Sequence, residues 1–153
     1  MKTYCCGFAF DPSFTDVLLI RKAKPEWQKG MLNGVGGTVE PGEAPIDAMQ
    51  REFIEETGIY QGASKWIRLA MLGDEHVIVH FFFTIITPDV MQSAVRGMAR
   101  AKEPLELHGT LMLPKTVIPN LRWLIPLALD TRPEYGIGLP VIAGFRSPVE
   151  ERA

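Results

Sequence analysis

The stretch from Gly37 to Ile59 reads GTVEPGEAPIDAMQREFIEETGI, and the rest of the chain is best read outward from it. Pro41-Gly42 breaks the chain, and from Pro45 onward the pattern turns helical. Ile46, Met49 and Phe53 fall at i, i+3 and i+7, on one helical face. Ala44-Pro45 suits a helix start, because proline is tolerated where the first N–H groups have no partner. Gly58 suits a stop. The spacing therefore predicts a helix over 45–57. Glu52, Glu55 and Glu56, at i, i+3 and i+4, share a second face. Three carboxylates so placed repel one another unless a cation lies between them. Arg51 reaches Glu55 at i+4 but cannot neutralise all three. A hard divalent cation can, and carboxylate oxygens suit Mg²⁺ or Mn²⁺. The glycines just upstream, Gly34, Gly36 and Gly37, let a backbone approach a ligand closely.

Toward the N-terminus, residues 3–10 alternate loosely and read as a strand. Asp11-Pro12-Ser13 is turn chemistry. Val17 to Arg21 reads as the second arm of a hairpin, and Lys24 to Lys29 as a loop. Toward the C-terminus, Trp66–Leu72 and His76–Thr87 read as strands, the latter ended by Pro88. Residues 89–101 read either as a short helix or as a mobile insertion. Leu105–Leu113 reads as a strand. Leu121–Leu129 reads as a helix in which Pro126 demands a kink or an early position, and Gly136–Phe145 as a late strand. Strands and helices mix without regular βαβ alternation, which predicts a mixed sheet with helices on its faces.

A length of 153 residues, 46% apolar and 22% charged, fits one soluble domain spanning 1–153. A formal charge of −2 gives no reason to expect a nucleic-acid polymer as partner. No run reaches the ~18 apolar residues of a membrane span, and the N-terminus lacks a secretory pattern. Adjacent Cys5 and Cys6 point to opposite faces of a strand, so they are expected as unbridged thiols in a cytoplasmic protein. No second cysteine pair completes a zinc site with them. His76 and His80 lie in a segment read as a strand, about 13 Å apart at ~3.3 Å per residue, too far to share one ion. With His108 they are read as structural.

The chemistry rests on spacing. Seven fixed residues at roughly 7% frequency each, with two apolar positions, coincide by chance about once in 10⁹ starting points. They are Gly37, Glu43, Arg51, Glu52, Glu55, Glu56 and Gly58. This segment resembles the signature box of the Nudix (MutT-like) hydrolases at every defining position. The resemblance implies an α/β/α sandwich with a mixed sheet and a loop–helix–loop metal site. It also implies Mg²⁺- or Mn²⁺-dependent hydrolysis of a nucleoside diphosphate linked to a further group. By position, Glu55 and Glu56 are similar to the family's principal metal ligands, and Glu52 to a further ligand or the general base. The Gly37 position, or the Gly36 carbonyl, would supply a backbone ligand. Glu43 and Arg51 would pair to hold the loop against the helix. Many members take another metal-binding glutamate from a later loop, for which Glu106 and Glu103 are the candidates.

Leu32-Asn33-Gly34-Val35-Gly36-Gly37 resembles the strand with which the nucleotide-sanitising members read a purine. Pro119-Asn120-Leu121-Arg122-Trp123 resembles their second base-reading region. An amide both donates and accepts, as a purine edge requires. Asn33 is equally a turn residue before glycine, and Asn120 equally a helix N-cap. Trp27 or Trp123 is suited to stack on a base, with Trp123 the better core candidate; Arg21 joins the expected substrate contacts. Residues 60–87 lack the proline usual in ADP-ribose hydrolases of the family, and 61–87 lack the tyrosine usual in those acting on dinucleoside polyphosphates. The favoured substrate is a purine nucleoside triphosphate, oxidised forms such as 8-oxo-dGTP included. The alternatives are ADP-ribose or another diphosphate, a non-nucleotide diphosphate, or a Nudix-fold binding module without catalysis. The chain is expected as a monomer or homodimer.

Overall fold

The structure, a computed structural model, describes residues 1–131 and the backbone of 141–144. Strands β1 (Lys2–Phe10) and β2 (Asp16–Arg21) form the expected hairpin, with Ala9 opposite Leu18. Two strands follow within the glycine cluster, β3 (Leu32–Asn33) and β4 (Val35–Thr38). Next come α1 (Pro45–Thr57), β5 (Ile67–Gly73), β6 (Val77–Ile85), α2 (Pro88–Gly97), β7 (Leu105–Gly109), α3 (Leu121–Asp130) and β8 (Val141–Gly144). All the strands share one mixed sheet: β6 runs parallel to β1 and β8 parallel to β5, and the other pairings are antiparallel.

Strand β1 organises the sheet. One edge pairs with β6 from Lys2 to Phe10; the other takes β4 over Tyr4–Gly7 and β2 over Ala9–Phe10. Period-two alternation then sends Phe8 and Phe10 to one face and Cys5 and Ala9 to the other. On the first face, Leu121, Leu124, Ile125 and Ala128 of α3 cover Phe8, Phe10, Leu19, Phe81 and Phe83. On the second, Met49 and Phe53 of α1 and Met91 of α2 pack with Leu18, Val35, Trp66 and Phe82. The α/β/α sandwich follows from these two apolar faces. Cys5 and Cys6 are free, buried thiols in opposite layers.

Several expectations are corrected in detail. The ambiguous 89–101 stretch is helix α2 through Gly97, its Met91 and Ala94 buried. The strand predicted over Leu105–Leu113 stops at Gly109, because Thr110 turns back to donate its hydroxyl to the carbonyl of Phe14 at 2.7 Å. A 3₁₀ turn, Glu26–Gln28, lies inside the predicted loop 24–29. Helix α3 runs through Pro126, which costs it only the N–H bond toward residue 122. Of the late strand Gly136–Phe145, 141–144 is strand and the remainder lies outside the described residues. Among the described residues no helix is long and apolar enough to cross a membrane.

Candidate active site

Two pairings of the sheet bring the site together. The β1–β4 ladder lays Gly36 and Gly37 beneath α1. The β2–β7 ladder, with Leu19 opposite Glu106 and Ile20 opposite Leu105, carries the segment 103–106 alongside Arg21 and Lys22. Helix α1 begins and ends where the sequence punctuates it: Ala44 is extended, Pro45 opens the first turn, and Gly58 closes the last at φ 73°, its N–H donating to the carbonyl of Ile54. Ala48, Met49 and Phe53 face the sheet, which turns Arg51, Glu52, Glu55 and Glu56 toward the preceding loop and the glycine strand.

Arg51 is the hub of that face. Its Nε and Nη2 donate to the two oxygens of Glu43, both at 2.9 Å. Nη1 meets Glu52 Oε1 at 2.7 Å and Glu55 Oε1 at 3.7 Å, and Nη2 also donates to the carbonyl of Thr38 at 3.0 Å. The arginine pulls the Glu43 carboxyl down to about 2, helped by the N–H of Glu40. The Glu52 carboxylate lies flat on Gly37: a Cβ at Gly37 would stand 2.5 Å from its carboxyl carbon. At Gly36 a Cβ would stand 2.1 Å from the backbone oxygen of Cys5. Glu56 folds inward and accepts the N–H of Gly36 at 3.1 Å. Burial pushes its carboxyl up to about 7, against the pull of Lys22 and that N–H. Glu55 stays exposed.

These contacts set apart two glycines that look alike in the sequence. Gly37→Ala is expected to fold, because the end of a flexible side chain can move aside. It is expected to lose activity by about tenfold or more, because Glu52 is displaced from the position its neighbours hold it in. Gly36→Ala meets backbone and is expected to lose soluble, cooperatively melting protein. A Gly37→Ala variant with unaltered activity would show that Glu52 need not lie where it does.

A sequence model of the NUDIX domain matches residues 5–110, more than half of the chain. The chain belongs to the Nudix family. No curated protein matches it at significant similarity. Among solved structures, the MutT protein of Bacillus halodurans is similar at 18% identity and a TM-score of 0.61, covering 86% of this chain and 84% of that one. The MutT/nudix family protein of Listeria innocua is similar at 20% identity and 0.60, covering 87% and 94%. NrtR of Shewanella oneidensis gives 15% identity and 0.66, covering 85% and 63%. The chain spans 42% of the MutT/nudix family protein from Enterococcus faecalis. At these identities the likeness is one of fold.

The other expected residues of this Nudix-family chain are placed unevenly. The pair Glu43–Arg51 and the set Glu52, Glu55, Glu56, Gly36 and Gly37 come together as described. Glu106 is taken by Arg21, which binds it in bidentate fashion, and by His108 at 2.9 Å. Arg21 also donates to the carbonyl of Gly30. Glu103 accepts the N–H groups of Ala23, at 2.7 Å, and Lys24, at 3.4 Å. Lys22, unremarked in the sequence, pairs with Glu103 at 3.1 Å, both side chains about 15% exposed (14% and 16%). The Asn33 amide is engaged within the protein: its oxygen accepts from Gly34 N–H and Cys6 Sγ, and its nitrogen donates to Gln28. Trp27, beside Gln28, is 68% exposed. Trp123, expected in the core, is 41% exposed, because Leu121, Leu124 and Ile125 take the inward face of α3. Asn120 is the N-cap residue of α3, its carbonyl accepting the N–H of Leu124, but its side chain makes no capping bond; its Oδ1 is buried without a partner beside a cavity of about 180 Å³ lined by Leu72, Val77, Val79 and Phe81. A larger hollow, about 370 Å³, lies by Phe14, Thr110 and Leu111, at the Asp16 end of β2 and away from the box.

Proposed function

We propose that this Nudix hydrolase splits a purine nucleoside triphosphate with water into the monophosphate and pyrophosphate. The observation that carries the reading is the placement of Glu52 and Glu56 on the Gly36–Gly37 strand, with Arg51 bracing the face from behind. The donors are all hard oxygens, and the flat seat at Gly37 keeps a carboxylate where a side chain would otherwise stand. That set fits Mg²⁺ or Mn²⁺. Glu55 and Glu56, with Glu52 and the carbonyl of Gly36 or Gly37, would hold the ion, and Glu103 and Glu106, paired with Lys22 and Arg21 respectively, are the candidates for a further ligand. When bound, such an ion offsets phosphate charge and acidifies water. Glu52 is the proposed base: it takes the proton of the attacking water while Arg51 fixes its orientation. Glu52→Gln is then expected to lower kcat by about 10² to 10⁴, with Mn²⁺ affinity changed far less; equal losses in both would make Glu52 chiefly a ligand.

The purine reading is supported by Asn120. A buried amide oxygen without a partner is costly, and one at the wall of a cavity is satisfied by a donor on a bound base. Asn33 enters as a support of the glycine strand, and Trp27 as an exposed ring available for stacking. The test is chromatographic product analysis with Mg²⁺, reading release of pyrophosphate from canonical and oxidised nucleoside triphosphates and of mononucleotide from ADP-ribose and dinucleoside polyphosphates. Release confined to purine triphosphates supports the reading. Turnover of ADP-ribose alone would replace the substrate, and silence on every compound would favour a binding module.

A further inference from the structure

Residues 22–31 form an arm that continues the β2–β3 ladder. Its two sides are joined by the N–H of Lys22 to the carbonyl of Met31 and by the N–H of Gly30 to the carbonyl of Lys22, both at 2.8 Å. The 3₁₀ turn Glu26–Gln28 closes its tip. Loops are commonly mobile, but side chains clasp this one in three places. On the outgoing side, Glu103 accepts the N–H groups of Ala23 and Lys24 and pairs with Lys22. On the returning side, Arg21 Nη1 donates to the carbonyl of Gly30 at 2.9 Å. The fork of the same guanidinium is fixed on Glu106, which anchors the arm to β7. At the tip, Asn33 Nδ2 donates to Gln28 Oε1 at 3.1 Å, which ties the turn to the strand leading into Gly36 and Gly37. What the arm presents is Trp27, 68% exposed. Among the described residues no aromatic ring or cation stacks on it. A large ring shown to solvent on a loop so firmly held is preorganised, because little freedom remains to be lost when a planar ligand stacks on it.

We propose that Arg21 is a positioning residue: through Glu106 on one side and the Gly30 carbonyl on the other, it holds the arm so that Trp27 stacks on the purine ring of the substrate. Glu103 and Gln28 hold the same arm at its root and its tip. The guanidinium that the sequence offers to the substrate acts on it through Trp27 and not by direct contact. A lysine at position 21 keeps the charge but has no fork, so it cannot bond Glu106 and Gly30 together in fixed geometry. This rests on the purine reading above, but not on which glutamate completes the metal site.

The test is steady-state kinetics on the full chain as wild type, Arg21→Lys, Trp27→Ala and the double variant. The substrate is whichever of dATP, dGTP and 8-oxo-dGTP the wild type turns over fastest. Amide hydrogen exchange over residues 22–31, without ligand, is the second readout. Arg21→Lys is expected to raise KM about tenfold, the size of losing most of a base–aromatic stack, to change kcat far less, and to exchange faster over the arm. Trp27→Ala is expected to raise KM as much while the arm exchanges as in the wild type. Because both act through one contact, the double variant should be no worse than the worse single one. An Arg21→Lys variant with wild-type KM, or losses that add in the double variant, overturns the inference. So does a fall in kcat and in calorimetric Mn²⁺ affinity in step with the rise in KM, which would place Arg21 and Glu106 at the metal instead. A wild type silent on all three nucleotides means that the purine reading has failed, and the inference with it; turnover with KM unmoved means that only the inference has failed. Should Arg21→Lys not fold, Gln28→Ala, which cuts only the tie to Asn33, replaces it in the same cycle under the same criteria.

Discussion

Glu56→Gln is expected to lower kcat by at least about a hundredfold and, at pH 8 in EDTA, to melt at a higher temperature than the wild type. The first effect follows from losing an anionic ligand. The second follows from burial. The folded carboxyl is pushed up to about 7 from its ordinary 4.5. A raised carboxyl means that the folded state holds its proton more tightly than the unfolded chain does. The full stability is present below the unfolded value, declines as the pH climbs from 4.5 toward 7, and is lost above it. At pH 8 the ionised group costs roughly 1–3 kcal/mol once its partial exposure is allowed for. Glutamine carries no charge and still offers Gly36 an acceptor, so that cost disappears, a gain of about 2–4 °C per kcal/mol for a chain of this size. At pH 4 the two proteins should melt together, since Glu56 is then protonated. Mg²⁺ should reverse the order at pH 8 by stabilising only the wild type. A variant that melts lower in EDTA at pH 8 would show Glu56 to be a structural residue.

Legible in the sequence is what local chemistry punctuates. Pro45 and Gly58 bracket α1, and the helix occupies the predicted 45–57. The apolar and acidic faces follow from its periodicity. The pairing of Glu43 with Arg51, eight residues apart, is expected from the resemblance and is realised as a two-bond fork. Contacts that depend on strand register are not legible. Lys22 and Glu103 are 81 positions apart and meet because β7 pairs with β2. Nothing in either segment marks them as partners. Asn33 shows the converse, since the resemblance of its strand offers the amide to a purine while the fold uses both amide atoms internally. Strand β4 is offered by the resemblance of residues 32–37 to a family strand and not by their own pattern, because glycines at 36 and 37 look like a loop. They are glycines because the Cys5 backbone and the Glu52 carboxylate press on them from either side. A glycine pair at the opening of the box is the available signal. Met91 and Ala94 of α2, with Met98 at its C-cap, form a helical stripe that a closer count of periodicity separates from an insertion.

Arg51→Lys is expected to be nearly as damaging as Arg51→Ala, with kcat/KM down by about 10- to 100-fold and the melting temperature in EDTA down by roughly 3–8 °C. A lysine preserves the charge, so a purely electrostatic role would leave the protein close to wild type. The geometry says otherwise. The guanidinium satisfies Glu43 through two nitrogens, Glu52 through a third contact and the Thr38 carbonyl through a fourth. An ammonium has no fork and cannot hold Glu43 and Glu52 in fixed relative positions. Glu43 also accepts the N–H of Glu40, so losing the fork loosens the loop that enters α1 as well as the orientation of Glu52. The damage should appear mainly in kcat, because Glu52 is misaimed, while Mn²⁺ binding through Glu55 and Glu56 is largely retained. Arg51→Lys with wild-type kcat would reduce Arg51 to a counter-charge and would remove the reason for assigning Glu52 a fixed orientation.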